Sequence, residues 1–207
     1  GVHFLQKSKG GKGVLLSGAA GVDNGKVTVI GGGTVGYNAV LSAIGLGARV
    51  TVIDIKQEVL EFYYDRFNGE VKTLPSYPDV IEEELASSDL AVGAVLVTGA
   101  KAPRVIRKEM ISAMEPGSVF VDVAIDQGGC SETSRPTTHE SPVYTSNGVT
   151  HYCVTNMPAL VSKTSTHSLS NAILPYVVKI ADSPEELDTD IQNGVNIEDG
   201  ELNISIG

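Results

Sequence analysis

The sequence predicts an α/β fold built on a doubly wound parallel sheet. Three observations lead there. Short apolar runs alternate with segments of helical spacing along most of the chain. The apolar runs carry hydrophobic residues at consecutive positions, as strands covered on both faces do. One of these runs ends in a glycine-rich turn that opens a helix, the join from which strand–helix–strand units are built.

The elements follow in order. "GVLLSG" (13–18) is expected as a short strand. "KVTVIGGG" (26–33) is a strand running into glycines, and "NAVLSAIGLG" (38–47) has helical spacing with Gly47 where a helix would stop. "RVTVID" (49–54) is the next strand and "KQEVLEFYYDRF" (56–67) the next helix. The pattern repeats with a strand at 71–75, a helix at 78–88 and a buried strand at 89–97. A helix at 107–115 is ended by Pro116-Gly117, and "SVFVDVAI" (118–125) makes another strand. Residues 148–156 form a last strand, and 165–182 a long helix with Pro175 inside it. Residues 183–207 are acidic and read as a short helix followed by a weakly ordered tail or a fragment of another domain. On this reading residues 1–160 form the sheet domain. Residues 161–207 form a C-terminal helical segment and tail, part of a second domain.

Composition narrows the function. The 207 residues are 42% hydrophobic and 19% charged, which suits a packed globular core. A net charge of −10, with no local Lys/Arg cluster, disfavours nucleic acid and acidic membranes as partners. No apolar run approaches the roughly 20 residues that span a bilayer. The start, "GVHFLQKSKGGKG", lacks the apolar core of a signal peptide. Cys130 and Cys153 have no CxxC spacing, so two free thiols in a reduced, cytoplasmic compartment are expected. The four histidines show no paired spacing, and no metal site is expected.

"VTVIGGGTVGYNA" fits G-x-G-x-x-G through Gly31, Gly33 and Gly36. The pattern alone is weak in a glycine-rich chain, but here a strand precedes it and a helix follows. The next strand ends on Asp54, about the twenty residues further on that the dinucleotide fingerprint requires. Gly31 permits the tight turn, Gly33 lets the backbone approach a diphosphate, and Gly36 lets helix and strand pack closely. The helix N-terminus offers free N–H groups to phosphate. Asp54 can accept from both ribose hydroxyls and would repel a 2′-phosphate. NAD is therefore favoured over NADP, although Lys56 stands close enough to keep the second open. A Rossmann-type dinucleotide-binding domain is the outcome.

Ligands of open α/β sheets bind beyond the carboxyl ends of the strands. Those ends include Val95-Leu96-Val97 with "TGAKAP", Asp126 followed by Gly128 and Gly129, and Asn156-Met157-Pro158. Asp126 is thus expected beside the reacting part of the cofactor, the other reading being a turn residue that merely closes a strand.

"VLVTGAKAP", "VDVAIDQGGCSETSRPTTH", "HYCVTNMPA" and "TSTHSLSNAILPYV" closely resemble the bacterial NAD-dependent alanine dehydrogenases, from about residue 5 to about 182. The nucleotide-binding subunit of the transhydrogenases has similar turns but departs from the wording of these motifs. The resemblance implies reversible oxidative deamination of L-alanine to pyruvate and ammonium, with hydride passing to NAD, in a homo-oligomer. It implies that Asp126 is the catalytic aspartate, Asp54 the ribose carboxylate and Ser76 a neighbour of the adenine. Val95 and Leu96 would contact the cofactor through their backbone. Val123, Ala124, Ile125, Asp126, Arg135, Val154, Thr155, Asn156 and Met157 would line its nicotinamide side. For Arg135 an ordinary surface or interface cation is an equal reading.

Departures from the family limit what is expected. Its substrate-binding lysine and its acid/base histidine have no match here, so the chain reads as a cofactor-binding part that is catalytically incomplete alone. Val59 replaces a basic residue found near the adenosine in some members, and Ser162 replaces a usual proline. A non-catalytic NAD-sensing module is the reading outside enzymology. Cys130 lies near the expected site without a histidine partner and reads as a buried thiol, not a nucleophile.

Overall fold

The computed structural model describes residues 1–96, 102–183 and 188–202 of the chain. It divides into two compact units, Gly1–Asn156 and Met157–Gly207.

The first unit is built on a seven-stranded sheet. Its strands are β1 (Lys26–Ile30), β2 (Arg49–Asp54), β3 (Lys72–Pro75), β4 (Leu90–Gly93), β5 (Val119–Asp122), β6 (Val143–Ser146) and β7 (Val149–Tyr152). They lie in the order β3-β2-β1-β4-β5-β7-β6. Every neighbouring pair is parallel except β6 with β7. Helices α1 (Thr34–Gly45), α2 (Gln57–Arg66), α3 (Pro78–Ala86) and α4 (Lys108–Ala113) connect them.

The order carries the architecture. From β1 the chain steps outward to β2 and β3, then returns across the sheet to β4 and continues to β5. Right-handed crossovers therefore put α1 and α2 on one face and α3 and α4 on the other. Alternate strand residues serve the two layers. Val29 and Val52 face the glycine turn and α1. Ile30 and Ile53 join Ile81, Leu85, Met110, Ile111 and Phe120 in the core under α3 and α4. Strands apolar on both faces are what such a sandwich requires. The reversal between β1 and β4 is the switch point at which doubly wound sheets open a crevice.

Two ionic clusters tie the first unit. Lys12 bridges Asp89 and Glu115 at 2.6 and 2.7 Å, and Asp89 also accepts from the Lys26 amide. Buried Glu84 pairs with Lys26 and Lys72. Burial pushes the Glu84 carboxyl up, but the two lysines outweigh it and the net shift is downward.

The second unit contains a 3-10 turn (Met157–Val161), α5 (Ser162–Asp182), α6 (Thr189–Asn193) and a hairpin of β8 (Ile197–Glu198) and β9 (Glu201–Leu202). Pro175 lies inside α5 as expected.

Several expectations are corrected. Residues 13–18 form no strand; the stretch is held by turns and an isolated bridge between Ala19 and Val22. The strand expected at 89–97 is regular only over β4, because the last register partners of Gly93 are Ile30 and Asp122, where both neighbours end. Val97 and the segment to Lys101 lie outside the described residues. The strand expected at 118–125 stops at Asp122, after which Val123–Gln127 wind into a 3-10 helix. The strand expected at 148–156 keeps only β7, and its partner β6 was not expected. Its signal is in the chain: Asn147 and Gly148 both take positive φ, 51° and 82°, the two-residue turn that Asn-Gly favours.

Candidate cofactor-binding and catalytic site

Because β1, β4, β5 and β7 are parallel, their carboxyl ends share one edge of the sheet. The glycine turn, the segment after β4, the 3-10 helix and residues 153–156 all emerge there.

The turn begins with Gly31 at φ 98°, its amide donating to the Ile53 carbonyl at 2.8 Å. A side chain at Gly31 would meet the Ala94 carbonyl at 2.6 Å and the Val95 amide at 2.9 Å, so the backbones of β1 and β4 come together here. A methyl group at Gly36 would overlap the Gly31 carbonyl oxygen. Above Gly33 the space is open. Gly33 is the residue before the first turn of α1 and has no side-chain cap. The tight turn at Gly31 and the close helix–strand approach at Gly36 are those the spacing leads one to expect.

Asp54 closes β2, and its carboxylate is already oriented. One oxygen accepts from the Gly32 amide at 2.7 Å and the other from the Lys56 amide at 2.9 Å. A carboxylate oxygen has lone pairs left after one bond, so both can still accept from a ribose diol. Ser76 follows β3 and donates its amide to the Asp54 carbonyl at 3.0 Å. The glycines, Asp54, Ser76 and Val95 thus form one continuous floor.

The second group of residues is organised by Asp122, which the apolar pattern places inside the strand expected at 118–125. It is fully buried at the end of β5. Its carboxylate accepts from the Ala124 amide at 3.0 Å, the Cys130 amide at 2.9 Å and the Ser134 hydroxyl. The first bond starts the 3-10 helix, which turns Asp126 into solvent. The others fold residues 128–134 back beneath it. A charge ending an otherwise apolar strand was the available signal.

Asp126 is exposed, and both its oxygens accept from the Asn156 amide, at 3.1 and 3.3 Å. Asn156 takes φ 52°, and its carbonyl lies 3.1 Å from His139 Nε2. Val123 is half-buried, while Ala124, Ile125 and Val154 are buried. Thr155 is exposed, and its amide donates to the Thr137 carbonyl at 3.2 Å. Met157 opens the second unit. Leu96 is exposed after β4.

Arg135 is already engaged: its guanidinium lies 4.1 Å over the Tyr144 ring, a cation–π contact. Tyr144 stacks in turn on His151, which sits edge-on to Phe120. Cys130 is buried, and burial together with the adjacent Asp122 pushes its thiol well up, so it is no thiolate nucleophile. Cys153 is buried and also pushed up. Among the described residues no group of three or more His, Cys, Asp or Glu could hold a metal ion.

The family description "Alanine dehydrogenase/PNT, C-terminal domain" matches residues 1–205. The chain belongs to this family. Among family members, the alanine dehydrogenase of Halomonas elongata is 53% identical over 206 residues, 98% of this chain and 56% of that protein. A solved L-alanine dehydrogenase superposes with a TM-score of 0.92 at 45% identity, over 98% of this chain and 57% of its own. A transhydrogenase structure from Sinorhizobium meliloti follows at TM-score 0.68 and 26% identity, over 79% of this chain and 47% of its own. The chain therefore spans about half the length of the alanine dehydrogenases it matches.

Proposed function

We propose that this chain is the NAD-binding part of an alanine dehydrogenase-type oxidoreductase, which interconverts L-alanine with pyruvate and ammonium. The observation that carries the proposal is one shared edge: the glycine turn with the Asp54 carboxylate bonded to it, and the exposed Asp126 carboxylate on the 3-10 turn after β5.

The residues suit NAD. The open space above Gly33 would admit a diphosphate, and Asp54 would hold the adenosine ribose and repel a 2′-phosphate. Ser76, Val95 and Leu96 would border the adenine and the rest of the cofactor. Val123 to Asp126, Val154 to Asn156 and Arg135 would border its nicotinamide side. When bound, the nicotinamide supplies the hydride acceptor.

Asp126 does the protein's share of the chemistry. Alanine oxidation passes through a cationic iminium, and a nearby carboxylate steadies that charge. The same carboxylate takes a proton from the attacking water and returns it as the carbinolamine collapses. Two amide contacts from Asn156 fix its position without using all its lone pairs.

The family's substrate lysine and acid/base histidine have no counterpart here, so this chain binds the cofactor and is incomplete for turnover by itself. We further assign it a homo-oligomeric state and a cytoplasmic location. The two free, buried cysteines suit a reducing compartment, and among the described residues no helix is long and apolar enough to cross a membrane. Transfer of hydride to a membrane partner, as in a transhydrogenase, has the weaker likeness behind it. Calorimetry with NADH against NADPH, alongside an alanine-oxidation assay, tests the proposal. Tighter binding of NADPH would defeat it.

A further inference from the structure

The middle residue of the glycine turn is held from both sides. Its amide donates to Asp54, and its carbonyl accepts from the hydroxyl of Tyr63, 3.1 Å away in a buried bond. Tyr63 belongs to α2, is fully buried, and packs its ring so closely that a side chain at Gly32 would come within 2.9 Å of it. Tyr37, Phe62 and Phe67 pack around the ring, with centroids 5.6 to 6.1 Å away.

The consequence follows from peptide geometry. In a trans peptide the C=O and N–H vectors point in opposite directions, and no cis bond is present among the described residues. The Gly32 carbonyl and the Gly33 amide belong to the same peptide. With the carbonyl turned inward to Tyr63, the Gly33 N–H of the same peptide points the opposite way, away from Tyr63. No described residue accepts from that amide.

We propose that Tyr63 is a positioning residue for the anion cradle: its hydroxyl holds the Gly32–Gly33 peptide so that the Gly33 amide faces the cofactor's diphosphate. This rests on the reading of residues 31–36 as the diphosphate site. Burial, with the nearby Asp54 charge, pushes the Tyr63 phenol up to about 12, so it stays a donor at every pH at which the protein works. A peptide free to flip would present a carbonyl oxygen to the phosphates and repel them.

The test uses this chain with Tyr63→Phe, which keeps the ring and removes only the donor. Calorimetry is run with NADH, with ADP-ribose and with adenosine. The variant should bind NADH and ADP-ribose roughly three- to tenfold more weakly, the effect of one lost hydrogen bond. Adenosine, which has no phosphate, should bind as it does to the unmodified chain. A merely structural role for Tyr63 would weaken all three together, and that result, or no change in any, overturns the proposal. If the unmodified chain binds none of them, the cofactor reading itself has failed. Should the variant not fold, amide exchange on the unmodified chain decides: NADH must slow exchange at Gly33, and unslowed exchange with NADH bound overturns the assignment.

Discussion

The backbone amide of Asn156 donates to both carboxylate oxygens of Asp126, at 3.1 and 3.3 Å, joining the loop after β7 to the 3-10 helix after β5. The contact holds the exposed carboxylate in place without neutralising it. Asp126→Asn should therefore leave NADH affinity within about twofold. In an enzyme carrying both halves it should lower alanine oxidation by roughly 10²-fold or more, the usual range for a lost proton-transfer group. Normal turnover in that variant would remove Asp126 from the mechanism.

Asp54 offers the opposite split. Its two oxygens organise the Gly32 and Lys56 amides before any ligand arrives. Asp54→Ala removes the proposed ribose acceptor and, with it, the bond that holds the glycine turn. NADH affinity should fall about 10- to 100-fold, in line with loss of hydrogen bonds to a charged group. Isothermal calorimetry measures it directly.

Two glycines of α1 should respond with opposite signs. A methyl at Gly36 would overlap the Gly31 carbonyl oxygen, a backbone atom that cannot rotate aside, whereas Gly45 has open space at the same position. Gly36→Ala should destabilise the first unit by roughly 1–3 kcal/mol. Gly45→Ala should stabilise it by about 0.5–1 kcal/mol through helix propensity. Urea unfolding of both variants is the check, and equal effects would mean that the close approach at Gly36 is absent.

His151 predicts a pH dependence. It is fully buried, with Nδ1 3.0 Å from the Val149 carbonyl and Nε2 2.8 Å from the Thr133 hydroxyl. The carbonyl can only accept, so Nδ1 carries the proton and Nε2 accepts from Thr133. Burial pushes its pKa down. The unfolded chain then takes up a proton near pH 6.5 while the folded one resists. Stability is therefore complete above about pH 6.5 and is lost as pH falls from there towards the folded value. Thermal unfolding should drop between pH 7.5 and 5.5, and His151→Gln should flatten that slope. Glu84, shifted downward, adds its own loss only at more acid pH.

Most of the sheet was legible because strands covered on both faces declare themselves by unbroken apolar runs. β1, β2 and α2 fall where the pattern puts them, and the glycines meet the carbonyl and the open space their spacing implied. What the pattern hides is the point where a long-range partner ends a strand. Residues 118–125 are apolar but for Ser118 and Asp122, yet Asp122 finds two amides and a hydroxyl and bends the chain. Tyr63 was equally hidden, since a tyrosine at helical spacing reads as core until its hydroxyl meets a backbone carbonyl. The β6–β7 hairpin is signalled by Asn147-Gly148, a turn pair set between two short stretches.

The pairing of β1 with β4 joins stretches far apart along the chain, with β2 and β3 made between them. On the ribosome, β1, β2 and β3 emerge first and can assemble alone. Until β4 is released, the edge of β1 that pairs with it, Val27 to Ile30, keeps its backbone N–H and C=O groups without a strand beside them. An open strand edge of this kind invites pairing with a neighbouring nascent chain. The seam between β1 and β4, where the strand order turns back on itself, thus stays open during synthesis until β3 and α3 have been made.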